Sequence, residues 1–386
     1  MRKNVMKINI KWIYTFTFIF YLIKQLLIVH VSWNVNEQII SNYNTICSYL
    51  LYLFLGCLFI SEVIVTKEYG YYFVIVPSIL IISFISFRVT LDQDIFLSLI
   101  MIVLSRNIAI KYIINKYFQF ILIALILVVL LSFVNVTKNI QVDFGYGLGH
   151  SFGFQNPNNL GTVVVSLLLS WLYLHSNLKL IFIFAIFYGF GGLLLYLTSA
   201  RTAVYTILIT PWLLLIFRAL KNKSMGLYFW GVSVGFIFLI GFTFFLINKY
   251  KFVPWMNLNS FHARFKFADE FYKLYGLHVW GTRLIFISSQ EAMLTHQASM
   301  ILDSSYARIL IFNGMIMSVL YLVLIFISIY RGYKYKNKML LLIILLFLIE
   351  GFMEQFSLYA EYNFALLATF SSINKLDFLR KIGEEE

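Results

Sequence analysis

Charge is scarce in this sequence, and acid is scarcer than base: 12% of residues are charged, with 30 Lys and Arg against 17 Asp and Glu. A soluble domain carries about 25% charged residues, so an ordinary soluble fold is excluded. No polar stretch beyond one central segment is long enough to house a nucleotide-binding or Rossmann domain. Cysteine is scarcer still. Cys47 and Cys57 lie in one apolar run, which excludes a disulfide framework and a zinc pattern. The surplus of 13 positive charges is not gathered on one water-facing surface, as a nucleic-acid partner would need. The basic residues fall in short connections, where they set topology and attract anionic lipid.

What remains is apolar: 61% of the chain is hydrophobic. Runs suited to crossing about 30 Å of hydrocarbon fall near 12–31, 44–66, 71–88, 92–105, 117–136, 158–175, 179–198, 202–219, 226–248, 305–330, 338–353 and 356–373. These predict an all-α polytopic membrane protein of about twelve transmembrane helices, residues 1–386 forming a single integral membrane domain. Arg2, Lys3, Lys7 and Lys11 precede the first run as in a signal peptide, but Lys24 interrupts it and no small-residue cleavage site follows, so it reads as a first span.

Lys67, Arg106, Lys111, Lys116, Lys179, Arg218, Lys221, Lys223, Arg331, Lys334, Lys336 and Lys338 share alternate connections with both termini. The other short loops hold only Arg88, Lys138 and Arg201. The positive-inside rule therefore places both termini in the cytoplasm and the long polar segment 249–304, between spans nine and ten, outside the cell membrane. The segment Arg106 to Lys116 reads as an interfacial helix on the cytoplasmic surface.

The segment 249–304 is too long for a mere connection and too aromatic for disorder, with Phe252, Trp255, Phe265, Phe267, Phe271, Tyr272, Tyr275 and Trp280. It reads as a folded cap over an outward site. Within it, Phe265, Ala268, Phe271, Tyr272 and Tyr275 recur at steps of three or four, while Lys266 with Glu270 and Asp269 with Lys273 stand four apart. That pattern predicts an amphipathic helix lying on the outer leaflet.

Five motifs carry polar chemistry. GYGLGHSFGFQNPNNLG (145–161) ends either in a helix capped by Asn158 or Asn159 or in a glycine-rich cradle for an anion or sugar. TSARTA (198–203) sets Arg201 between two apolar spans, where an ionisable residue is a functional candidate. ILDSSYARILIFNG (301–314) has Asp303 or Ser304 placed to cap a helix, with Arg308 beyond. Glu350 and Glu354, one turn apart, could share a proton or pair with Arg201 or Arg308. LDQD (91–94) places two carboxylates where they cap the fourth span more readily than they bind a metal.

SFGFQNPNNLG, TSARTA, NSFHARF followed by LYGLHVWG, then LDSSYARILIFNG and LIEGFMEQ with Tyr362-Asn363-Phe364, in that order across about residues 70–373, resemble the Wzy-type polysaccharide polymerases of the O-antigen polymerase and ligase superfamily. The resemblance implies a GT-C-like membrane fold and inverting glycosyl transfer on the outer face, with a lipid pyrophosphate such as undecaprenyl pyrophosphate as leaving group and no nucleotide sugar. Arg201 and Arg264 occupy the motif positions thought to hold the pyrophosphate. Ligases of the superfamily carry a histidine where this chain has Asp303, which favours the polymerase branch.

The chemistry of the residues agrees. A departing pyrophosphate needs guanidinium forks or a metal, and the acceptor hydroxyl needs a base such as Asp303 or a loop histidine. The expected catalytic set is Asp303, Arg201 and Arg264, with Asn156, Asn158, Asn159, His262, Arg283, Tyr306, Arg308 and Glu350 binding substrate. No metal and no cofactor is expected. The expected partners are a lipid-linked oligosaccharide donor and acceptor, membrane lipids, and a chain-length regulator and flippase; nucleic acid is not among them. A ligase and a non-enzymatic exporter or flippase are the alternatives. An exporter would show internal repeats and mid-membrane charge, which the sequence lacks.

Overall fold

The computed structural model describes residues 2–66, 70–143, 147–249, 259–287 and 301–373. Its helices are α1 (Arg2–Leu22), continued by a π-helical stretch Ile23–Val29, α2 (Glu37–Thr66), α3 (Val76–Thr90), α4 (Gln93–Val103) and α5 (Ile110–Phe133). A two-stranded hairpin follows, β1 (Gln141–Asp143) antiparallel to β2 (Leu148–His150). Then come α6 (Pro157–Leu174), α7 (Leu180–Thr198), α8 (Arg201–Ala219), α9 (Met225–Lys249), α10 (Asn259–Tyr275), α11 (Ser305–Ile311), α12 (Met315–Lys334) and α13 (Lys338–Met353). Among the described residues, nine helical spans are long and apolar enough to cross a membrane.

Three of the twelve expected runs are not span-length helices, and a fourth is shortened. α4 has 11 residues and α13 has 16, about 17 and 24 Å at 1.5 Å per residue. The tenth run breaks at Asn313-Gly314 into α11 and α12. The run 356–373 is not a span-length helix at all; it holds two 3₁₀ turns, Gln355–Leu358 and Phe364–Thr369.

That last stretch nevertheless runs from one end of the bundle to the other, because Glu354 meets α10 while Ser372 pairs with Ala109 at the start of α5. Irregular backbone inside a bilayer must be buried in protein and hydrogen-bonded there. Side chains do this work: Tyr117 donates to the Glu361 carbonyl at 2.8 Å, Ser166 to Tyr362 at 2.6 Å, Ser105 to Leu367 at 3.1 Å, and Tyr321 to Ser357 at 2.8 Å.

The expected interfacial helix at 106–116 is instead a turn followed by the first residues of α5. Ile110, Ile113, Ile114 and Tyr117 are buried, so its apolar residues pack into protein. The outward face of the bundle remains apolar. Tyr196, Ile181 and Phe133 are 83%, 70% and 69% exposed, as suits side chains solvated by lipid.

Candidate functional site

α10 forms where the sequence places it, and both expected ion pairs are present, Lys266 with Glu270 at 3.8 Å and Lys273 with Asp269 at 2.5 Å. Its apolar face does not lie on a leaflet, however. Phe265, Ala268 and Phe271 are buried in a separate core with Leu246, Ile247, Leu302, Ala307, Ile311 and Phe312. The helix is a cap docked on the ends of α9 and α11, and this docking fixes Arg264.

Arg264 is the centre of the site. Its Nε donates to Asp303 Oδ2 at 3.1 Å, its Nη2 to Glu354 Oε1 at 2.7 Å, and its Nη1 to Thr202 Oγ1 at 2.7 Å. Four separated segments thus meet on one guanidinium: the cap helix, the chain ahead of α11, the end of α13 and the start of α8. Burial opposes the charge on Arg264, but Glu354 and Asp303 outweigh it and hold its pKa above the usual value. Glu354, one residue past the end of α13, has its pKa raised by burial, with Arg264 pulling the other way.

A second buried arginine lies one turn into α11. Arg308 donates from Nε to the Tyr359 hydroxyl at 3.0 Å, has Asp92 Oδ2 at 3.9 Å, and stands over the rings of Phe286 and Phe312 at 4.9 and 4.8 Å. Asp92 also caps α4 through Ile95 N and accepts from Asn313 Nδ2 at 3.2 Å. Asp92 of LDQD therefore caps α4 as expected, while Asp94 accepts from Gln25 Nε2 at 2.7 Å. Among the described residues, no three His, Cys, Asp or Glu side chains are grouped to hold a metal.

The loop ahead of α11 is anchored by two glycines. Gly281 (φ 91) and Gly314 (φ 97) have backbone conformations that L side chains rarely adopt. A Cβ on Gly314 would press on Trp280 C at 2.7 Å and Val279 O at 2.8 Å. The chain from 278 to 282 is pinned there, with Met315 N donating to His278 O and Thr282 N to Phe312 O.

Several expectations change in detail. The carboxylate pair does not meet Arg201 or Arg308: Glu354 pairs with Arg264, and Glu350 is buried with neither carboxylate oxygen hydrogen-bonded. Asp303 is engaged by Arg264 and does not cap α11, whose N-cap is Ser304 without a side-chain bond. α6 is capped by Asn156, which accepts from Asn159 N at 2.9 Å, and not by Asn158 or Asn159; Pro157 at the first helical position moves the cap forward. Arg201 opens α8 beside Thr202. Tyr306 is buried and donates to Leu348 O at 2.6 Å, while Arg283 is exposed. The side chain of His262 lies outside the described residues, as do Trp255, Glu291 and His296.

Sequence reasoning missed Thr202 and Glu354 as partners of Arg264, and Asp92 and Tyr359 as partners of Arg308. The usable signal was a carboxylate at the very end of an apolar helix.

The fold and its buried charges define an all-α, multi-pass membrane protein with an arginine-centred polar site at one end of the bundle. Compared with models of protein families, with curated proteins and with solved structures, the chain matches none of them.

Proposed function

We propose that this protein is a polysaccharide polymerase, joining lipid-linked oligosaccharide repeat units on the outer face of the cell membrane by inverting glycosyl transfer. The observation that carries the reading is the Arg264 cluster. A buried guanidinium is held rigid by two carboxylates and a hydroxyl under a docked cap helix, at the bundle end opposite the basic connections.

Arg331 and Lys338 mark that other end, Arg331 bonding the Thr369 carbonyl and Lys338 the Lys221 carbonyl. The positive-inside rule makes that end cytoplasmic and the Arg264 end external. Lipid pyrophosphate is a substrate presented at headgroup depth, and a guanidinium fork matches two of its oxygens.

In this mechanism Arg264, with Arg201 at the start of α8, receives the pyrophosphate of the donor and stabilises the charge that grows as the anomeric C–O bond breaks. Asp303, partly exposed, takes the proton of the acceptor hydroxyl as its oxygen forms the new bond. Arg308, one turn into α11 beyond Asp303, borders the sugar, and Glu350 lies deeper. The partners are the two lipid-linked oligosaccharides, with a flippase supplying them and a regulator of chain length.

Deleting the gene and inspecting the surface glycan with its lipid-linked precursors tests the reading. Single repeat units accumulating on lipid at the outer face are expected. Full-length chains retained on lipid would indicate a ligase, and repeat units trapped at the inner face a flippase.

A further inference from the structure

The guanidinium of Arg264 offers an anion two edges. The Nε and Nη2 edge faces two carboxylates, Asp303 at 3.1 Å and Glu354 at 2.7 Å. The Nη1 and Nη2 edge faces the neutral Thr202 hydroxyl at 2.7 Å and Glu354. A phosphate bound in bidentate fashion occupies one edge. Taking the first displaces both carboxylates, whereas taking the second displaces Glu354 and the neutral Thr202 hydroxyl and leaves Asp303 paired through Nε. The second route breaks one ion pair where the first breaks two.

Charge adds a condition. The Arg264 guanidinium already faces two carboxylates, so an incoming anion competes with them for it. Glu354, moreover, has nowhere to go as a carboxylate. It is 2% exposed, and the charged groups that face it are Arg264 from α10, Asp303 ahead of α11 and Glu350 from α13. Thr202 from α8 is neutral, and Ser305 of α11 is spent on the Glu354 carbonyl at 2.6 Å. Glu350, a turn away, is 1% exposed and has no hydrogen-bond partner for its carboxyl, so it offers no cation. A buried carboxylate stripped of its cation neutralises. Asp303, with its side chain 23% exposed, retains solvent and the Nε bond.

Resting on the reading of Arg264 as a pyrophosphate clamp, we infer that Glu354 is the gate of that clamp: a diphosphate replaces it on Arg264, and Glu354 takes up one proton as it leaves. Glu354 is thus a positioning residue that holds Arg264 until an anion arrives. Its proton comes from solvent, and Asp303 keeps its bond to Arg264 Nε. Binding that takes up one proton weakens about tenfold per pH unit while Glu354 is ionised in the free protein.

The test is calorimetric titration of the full-length protein in lipid nanodiscs with inorganic pyrophosphate, repeated in buffers of different ionisation enthalpy to count protons. Wild type is compared with Glu354→Gln, so that protons belonging to pyrophosphate itself cancel. At pH 8, above the value of about 7 to which burial raises Glu354, wild type should take up about one proton per ion more than the variant, and the variant should bind about tenfold more tightly. Equal proton counts with binding intact would overturn the gate and leave the clamp standing. Loss of binding on Arg264→Gln separates the two ideas, since the clamp requires it. Absence of pyrophosphate binding by folded wild type would overturn both. Should Glu354→Gln not fold, the wild-type count, less the known protonation of pyrophosphate at that pH, still decides, and a balance of zero overturns the gate.

Discussion

Replacing Arg264 with lysine keeps the positive charge and removes the fork. The guanidinium makes three bonds in three directions, to Asp303 at 3.1 Å, Glu354 at 2.7 Å and Thr202 at 2.7 Å. An ammonium on a shorter reach holds one of these well, so two contacts are lost, one of them to a carboxylate. Hydrogen bonds to charged groups contribute about 1.5–3 kcal/mol each. Because lysine retains the charge, the expected loss of stability lies near the lower end, about 3 kcal/mol. The effect on rate is separate. Removing one preorganised donor to a developing anion costs about 10²–10³-fold, and lysine cannot present two parallel donors to phosphate. Chain extension in cells carrying Arg264→Lys, normalised to the amount of monodisperse protein extracted from membranes, should therefore fall at least about a hundredfold. Extension above a third of the wild-type rate at equal protein level would refute the fork, leaving only a requirement for positive charge.

Gly314→Ala should destabilise the cap, since φ 97 with ψ 170 lies in a region essentially reserved for glycine and costs about 1–3 kcal/mol before the clash with Trp280 and Val279 backbone; a thermal unfolding midpoint equal to wild type would contradict the close packing. Glu354 has its pKa raised by burial, so the native state holds a proton that the unfolded chain gives up above about 4.5. The contribution of Glu354 to stability is accordingly greatest at low pH and declines, by up to about 1.4 kcal/mol per pH unit, until pH reaches the raised native value. Thermal melts across pH 4 to 8 should show this decline in wild type and lose it in Glu354→Gln, and identical profiles would count against the burial argument. A chelator should leave extension by purified protein unchanged, because Asp92 is committed to Arg308, Asn313 and the α4 cap; abolition by chelator would require a metal in the leaving-group step.

Periodicity and hydropathy made the long spans and the amphipathic cap helix legible, because a 20-residue apolar run and a three-to-four repeat each have one physical reading. The stretch 356–373 was not legible. Its residues are as apolar as a span, but its backbone is held by Tyr117, Ser105, Ser166 and Tyr321 from other helices, which no local pattern reveals. The same limit applies at the site. Arg264 and Asp303 stood out as charges in a polar loop, whereas the pairing of Arg264 with Glu354 joins residues 90 positions apart. Sequence also placed the aromatic face of α10 on lipid, since an amphipathic stripe does not say whether protein or membrane covers it. Contact with Leu246, Leu302 and Phe312 answers that.

The central claim is that this chain transfers glycan from a lipid pyrophosphate through an Arg264-centred site. Its most direct test is purified protein in liposomes with lipid-linked repeat units as the only substrate, read as glycan length on lipid against released lipid pyrophosphate. Wild type should give a ladder of extended chains with one pyrophosphate released per link, while Arg264→Lys and Asp303→Asn, folded in the same liposomes, leave single units. A ladder of wild-type yield from either variant would contradict the site, and no extension by folded wild-type protein would contradict the function.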